Sequence, residues 1–204
     1  MTTTTTRRTR SDGERSRRTI LLAAARLATV EGLGGLTIGR LAAETGMSKS
    51  GLFAHFGSKE ALQLATIGMA EEIFLEDVVG PALAAEGRAR VEALCDSFLS
   101  HVDRNVFPGG CFFASAAAEL DTRPGPVRDR VVANLRQWTG LFEQAVADAQ
   151  ARGEIAASAD RDQLVFEINA LLAEANGLYV LNDDPRYIAM ARRAIADRLE
   201  RAAA

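Results

Sequence analysis

Apolar residues along this chain recur every three or four positions almost throughout, and no Val/Ile/Thr-rich alternating run is long enough to make a strand. The pattern predicts an all-α protein. From about Asp12 to Glu31, Ile20, Ala24, Leu27 and Ala28 share one helix face, with Gly32 as a left-handed end. Two short helices fit before residue 57. A fourth starts after Ser58 and carries Leu62, Ala65, Met69 and Ile73 until Gly80-Pro81, where it is expected to stop. Val91, Leu94, Cys95, Phe98, Leu99 and Val102 mark the next helix, and a short one covers Cys111–Leu120. A long helix carries Val131, Leu135, Trp138, Leu141, Phe142, Ala145 and Ala149 up to Gly153. Asp160 with Gln163 reads as a capping box for a helix over about 161–181, and Asp184-Pro185 opens the last one.

The helix over 161–181 has two apolar stripes where a single core needs one. Leu164, Ile168, Leu171, Leu172, Ala175 and Leu178 form the first; Phe166, Ala170, Ala173, Gly177 and Val180 form the second, with small residues that permit close helix approach. Either this helix is buried inside one monomer or its second stripe meets another copy. The second reading predicts a homodimer whose interface holds Phe166, Ala170, Ala173 and Gly177, with Ile195 and Leu199 from the last helix.

Composition narrows the class. The chain has 204 residues, 48% hydrophobic and 25% charged, which is ordinary for a folded protein. Two cysteines and two histidines are too few for a disulfide scaffold or a thiolate or all-histidine metal centre, so neither metal nor cofactor is expected. The polar, Thr- and Arg-rich start lacks the apolar segment of a secretory signal. No run approaches ~18 uninterrupted apolar residues, so no membrane span is expected and a reducing cytoplasm is the simplest location.

The net charge of −3 conceals an asymmetry. Residues 1–60 hold ten basic and five acidic side chains, so they carry +5 and the remainder −8. A basic end on an acidic body suits a polyanion such as nucleic acid, although a solvated Arg-rich tail has the same composition.

The stretch LTIGRLAAETGMSKSGLFAHFGSKEAL, residues 36–62, reads as helix, tight turn, helix. Thr37 caps the first helix, Ile38 and Leu41 face inward, and Ala42 is small where the second helix crosses. Gly46 supplies the left-handed turn, Met47 plugs it, Ser48 caps the second helix, and Leu52 and Phe56 anchor it. Lys49, Ser50, Gly51 and His55 remain outside. Such small and polar side chains let a helix approach the major groove. Spacing alone would equally allow an ordinary helical corner.

More residues distinguish the two. Over about residues 15–62, Thr37, Ala42-Ala43, Gly46, Ser48-Lys49, Leu52, Phe56 and Ser58-Lys59-Glu60-Ala61-Leu62 closely resemble the DNA-binding domain of the tetracycline-repressor (TetR) family of bacterial transcription regulators. The resemblance implies a flexible basic arm (1–14), a helix-turn-helix domain (15–57), and an effector-binding and dimerisation domain (58–204). It implies a double-stranded DNA operator as partner, dimerisation through the last two helices, and release of DNA by a small-molecule effector. By matching position, Thr37 and Lys59 contact phosphate and Lys49, Ser50 and Gly51 meet the groove, and Ser48, which caps that helix, is counted with them as DNA-binding. Phe53 stands where many members have a tyrosine, losing a hydroxyl that His55 is placed to replace. Arg17 and Arg18 extend the basic surface, and the arm is a candidate minor-groove strand.

In the body, Phe98, Phe107, Phe112, Phe113, Trp138, Phe142 and Phe166 concentrate apolar bulk, and Phe98, Phe107, Phe112, Trp138 and Phe142 among them are the candidate walls for an apolar or amphipathic effector, although aromatics at helical spacing also build cores. Cys111, Ser115, Asn134 and Asn169 are the candidate polar anchors, and the Gly109-Gly110 amides could face a ligand. His101 and Glu119 are candidate polar pocket residues, with the surface as the expected place of both. Cys111 permits a redox alternative, but a buried, inert thiol is the expectation for it and for Cys95. Without a phosphate loop, metal-ligand spacing or nucleophile–base pair, an enzyme is not expected. An architectural DNA binder without an effector is the remaining rival, though it has no need of a large acidic body.

Overall fold

The computed structural model describes residues 4–204, with side chains described from Gly13 onward. Among the described residues there is no strand. Nine principal helices follow in order: α1 (Thr4–Gly35), α2 (Ile38–Thr45), α3 (Lys49–Phe56), α4 (Lys59–Phe74), α5 (Gly87–Asp103), α6 (Phe112–Leu120), α7 (Pro126–Ala151), α8 (Arg161–Asn182) and α9 (Arg186–Arg201). The backbone of most of segment 1–14 thus continues α1, while the side chains of Arg7, Arg8 and Arg10 lie outside the described residues.

Two apolar clusters organise the chain. The smaller unites Ile20, Leu27, Leu36, Leu41, Leu52, Phe56 and Leu62 from α1 to α4. The larger runs from Ala25 and Ile67 through α5, α6 and α7 to Ile188, Ile195 and Leu199. Ile73 of α4 packs against both, so α4 is a shared wall between head and body.

Two expected helix ends behave differently. At Gly32 (φ 77°, ψ 157°) α1 kinks and resumes for three residues. After α4 the helix does not stop at Gly80-Pro81 but passes through a π-helical turn (Leu75–Val79) and ends at Ala82. Pro81 has no N–H to donate, and the wider turn ahead of it absorbs the change of register.

One face of α8 is packed as expected, with Leu164, Ile168, Leu172 and Ala175 buried. By length and composition alone α8 could cross a membrane, but that face belongs to the body core. Its second stripe is open: Phe166 is 69% exposed, and Ala170, Ala173 and Gly177 are exposed beside it. Ile195 and Leu199, expected at an intermolecular interface, are instead buried in the chain's own core. Being on the α9 face that meets α8, they satisfy the monomer first. Asp160 caps α8 through the Gln163 amide, but the Gln163 side chain turns to Glu167, so only half of the capping box forms.

The loop before α6 locks α1 to α8. Thr29 Oγ1 accepts from the Gly109 amide at 3.2 Å, Arg26 donates to the Val106 carbonyl, and Asn176 Oδ1 accepts from the Cys111 amide at 2.7 Å. A Cβ at Gly109 would sit 1.9 Å from the Thr29 carbonyl oxygen, whereas one at Gly140, inside α7, meets nothing within 4 Å. Gly109→Ala is therefore expected to destabilise the protein by about 2 kcal/mol or more, and Gly140→Ala to stabilise it by up to ~1 kcal/mol. Denaturant unfolding of both variants checks the contrast.

Candidate nucleic-acid interface and ligand cavity

The helix-turn-helix is built by its caps. Thr37 accepts from the Arg40 amide at 3.1 Å to start α2, which ends at Gly46 in the left-handed region (φ 68°). Ser48 accepts from the Gly51 amide at 3.1 Å to start α3, and Ser58 accepts from the Ala61 amide at 3.0 Å to start α4. Leu41, Ala42, Leu52 and Phe56 are buried, and Ile38 and Met47 pack partly buried against the same cluster. What remains on α3 is an open face of Lys49, Ser50 and Phe53, the last 58% exposed, with Gly51 and His55 half-buried at its edges.

The basic residues divide. Arg17 donates to the His55 carbonyl at 3.1 Å and lies over the Phe56 ring, so it seals the C-terminal end of α3, where helix carbonyls carry partial negative charge. Lys59 donates to the Gly34 carbonyl at 2.5 Å. Arg40 pairs with Glu31 and Glu44. Arg18, Lys49, Ser50 and Thr37 are exposed on the head.

The kink at Gly32 is held from the body. Breaking the helical ladder frees the Leu33 and Gly34 amides, and the two carboxylate oxygens of Glu119 on α6 accept them at 2.6 and 2.7 Å. On the other side Lys59 and Gln63 donate to the Gly34 and Leu33 carbonyls. Glu119 is thus a joint between head and body rather than a surface group. A pattern reading had no access to this, since the amides it binds lie 85 and 86 residues away.

Between α4, α6, α7 and α8 lies a cavity of about 460 Å³. Phe98, Cys111, Asn134, Trp138 and Asn169 line it as expected, joined by Phe74, Phe113 and the unforeseen Glu71. Phe74 is the centre of the aromatic wall, edge-on to Phe98, Phe113 and Trp138 at centroid distances of 6.5, 5.7 and 5.1 Å. Glu71 accepts from both Arg130 and Asn134, tying α4 to α7 at the cavity wall.

Four expected lining residues are elsewhere. Phe107, Phe112 and Phe142 are buried in the core, Phe142 behind the Trp138 ring, and Ser115 donates to the Gly109 carbonyl. Helical spacing placed them on the inward side but could not separate core from cavity wall. The Gly109 and Gly110 amides are also consumed internally, by Thr29 and by the Phe107 carbonyl. Both cysteines are buried free thiols, and burial pushes each thiol upward in pKa, away from the reactive thiolate. Among the described residues no cluster of three metal-ligating side chains occurs.

His101 corrects the expectation of a surface group. It is buried, with Nδ1 2.7 Å from Asp77 Oδ2 and Nε2 without a partner. Burial lowers its pKa below the usual 6.5 despite the opposing pull of Asp77, and Arg104 also lowers it. Burial alone would raise Asp77, but hydrogen bonds from Arg104 and His101 outweigh it and hold the carboxyl below 3.8.

Known proteins show what this arrangement is similar to. Residues 20–66 match the family model of bacterial regulatory proteins, tetR family, and residues 87–195 match the tetracyclin repressor-like C-terminal domain. No curated protein matches the chain. Among solved structures, a TetR transcriptional regulator from Chloroflexus aurantiacus is 29% identical, with a TM-score of 0.86 over 93% of this chain and 96% of that one. A TetR-family regulator from Streptomyces coelicolor is 23% identical, with a TM-score of 0.75 over 100% and 98%. AibR, solved with isovaleryl coenzyme A and operator DNA, is 22% identical, with a TM-score of 0.71 over 89% and 96%.

The lowered pKa of His101 sets a direction for acid sensitivity. Below about pH 6.5 the unfolded histidine takes up a proton that the native one resists. Stability from this group is therefore complete above that pH and lost as pH falls toward the native pKa, with a slope of at most ~1.4 kcal/mol per pH unit. Unfolding curves from pH 7.5 to 5 should show a smaller pH slope for His101→Gln than for the wild type.

Proposed function

We infer the function from the premise that this chain belongs to the tetR family of bacterial regulatory proteins. It is a helix-turn-helix DNA-binding regulator. Within that class we propose a ligand-responsive repressor that binds a palindromic operator as a homodimer in the cytoplasm and leaves it when a small molecule enters the cavity. It is not proposed to be an enzyme. Its proposed layout is an arm over 1–14, a DNA-binding head over 15–57 and an effector and dimerisation body over 58–204.

The observation that carries the DNA reading is the open face of α3, with Lys49, Ser50 and Phe53 held outward by the buried anchors Leu52 and Phe56. Its small N-terminal residues permit close groove approach, while Thr37, Ser48, Lys59 and Arg18 flank it as candidate phosphate contacts. Lys59 would have to exchange the Gly34 carbonyl for phosphate. Arg17 acts more naturally as a support of α3 than as a free contact.

The dimer reading rests on the open stripe of α8. Phe166, Ala170, Ala173 and Gly177 present an apolar, small-residue face, which Leu181 continues at 79% exposure. Large exposed apolar side chains along one helix mark an interaction surface. Two copies joined there would present two α3 helices to half-sites separated by whole turns of DNA.

Coupling follows from placement. Helix α6 lines the cavity with Phe113, Ala114 and Ala117 and, two residues beyond Ala117, holds the α1 kink through Glu119. Helix α4 lines it with Glu71 and Phe74 and begins at the end of the DNA motif. An effector that prefers one placement of these two helices shifts the head, whereas equal affinity for both placements would shift nothing.

Fluorescence anisotropy on DNA from the chain's own upstream region and on a scrambled control tests the DNA reading. Preference for the native fragment by ~10³-fold is expected. Lys49→Ala should weaken binding about tenfold and lower its salt slope by about one. Equal, salt-sensitive binding to both fragments would favour the architectural rival. Phe166→Asp is expected to yield monomers in sedimentation velocity and to abolish tight operator binding. Glu119→Ala leaves the Leu33 and Gly34 amides without their acceptor and should cost about 1.5–3 kcal/mol of stability. In an effector titration it should also reduce ligand-induced DNA release while leaving ligand affinity unchanged.

A further inference from the structure

The charge of the cavity lining points to the class of effector, on the premise that the cavity is the effector site. Among its lining residues Glu71 is the one carboxylate, and no lysine, arginine or histidine lines it. An anionic head group would lose its hydration there without gaining a countercharge. A cation finds the Glu71 carboxylate on the same lining as the polar side chains of Asn134 and Asn169 and the aromatic residues Phe74 and Trp138. The net −8 of residues 61–204 draws the same sign of ligand toward the body.

Glu71 is already paired, but from outside. Arg130 is not among the lining residues, and its side chain is 54% exposed against 14% for Glu71. The two-point pairing of Arg130 with both Glu71 oxygens fixes the carboxylate, but solvent on the Arg130 side screens its charge. A ligand cation on the cavity side, out of solvent, competes with that pair for the carboxylate. We propose that the cavity takes a lipophilic organic cation, an ammonium group on an apolar body, recognised by Glu71 at the expense of Arg130.

The same contact supplies a response. Glu71 belongs to α4, while Arg130 and Asn134 belong to α7, so a cation that takes over Glu71 loosens the α4–α7 tie at the cavity wall. A neutral ligand of the same shape leaves that tie intact.

Trp138 is the chain's one tryptophan and lines the cavity, so its fluorescence reports occupancy directly. Full-length protein would be titrated with phenyltrimethylammonium, with its uncharged carbon isostere tert-butylbenzene, and with benzenesulfonate. The cation should bind about tenfold or more tightly than either of the others. Glu71→Gln should erase that preference, and Arg130→Met, which leaves the carboxylate unopposed, should raise cation affinity several-fold. Circular dichroism and melting curves establish that both variants are folded. Equal binding of tert-butylbenzene or benzenesulfonate would overturn the charge assignment and leave the effector cavity standing. Undiminished cation preference in folded Glu71→Gln would also overturn it. Failure of all three probes to bind protein that still binds DNA would overturn the assignment and the effector cavity together.

Discussion

The Leu33–Gly34 peptide is the point on which head and body depend. Its two amides lose their helical acceptors when α1 kinks at Gly32, and the carboxylate of Glu119 replaces both at once. Lys59 and Gln63 hold the adjoining carbonyls from α4. A buried or half-buried amide without a partner is costly, so this joint resists opening. It also fixes the angle at which α1 leaves the body, and with it the placement of α2 and α3.

The joint and the cavity share their supports. Helix α6 is only nine residues long, with cavity-lining residues at its start and middle and Glu119 near its end. A short, well-packed helix moves as a unit, so displacement at one end reaches the other. The π-helical turn after α4 contributes Leu75 and Val79 to the same cavity and Asp77 to the buried His101. Irregular helical turns of this kind recur at functional sites because their hydrogen-bond register is not the most stable one available.

Polar burial in the body is sparse and placed at junctions. Asn176 satisfies the Cys111 amide, Thr29 the Gly109 amide, and His101 one oxygen of Asp77. Each joins segments far apart in the chain where two glycines or a helix turn let the backbone come close. Apolar packing of the two clusters provides the bulk of the stabilisation, whereas these few hydrogen bonds select one relative placement.

Much of this was legible in the order of residues. Caps at Thr37, Ser48, Ser58 and Asp160, the left-handed Gly46, and the inward set Leu41, Leu52 and Phe56 follow from local chemistry, which acts over three or four residues and so is written contiguously. The open stripe of α8 was likewise legible as a second periodicity. What the tertiary structure alone decided concerns pairs distant in sequence. Periodicity places Phe98 and Phe142 alike on inward faces, but only the packing of α4, α6, α7 and α8 makes the first a cavity wall and the second core. It likewise assigns Ile195 and Leu199 to the monomer, buries His101 against Asp77, sets Glu71 at the cavity, and brings Glu119 to amides 85 and 86 residues away. Sequence by itself determined the order of the helices and most of the faces they bury, because those depend on neighbours along the chain. Which inward residues meet one another, and where they leave a gap, depended on the angles at which the helices cross.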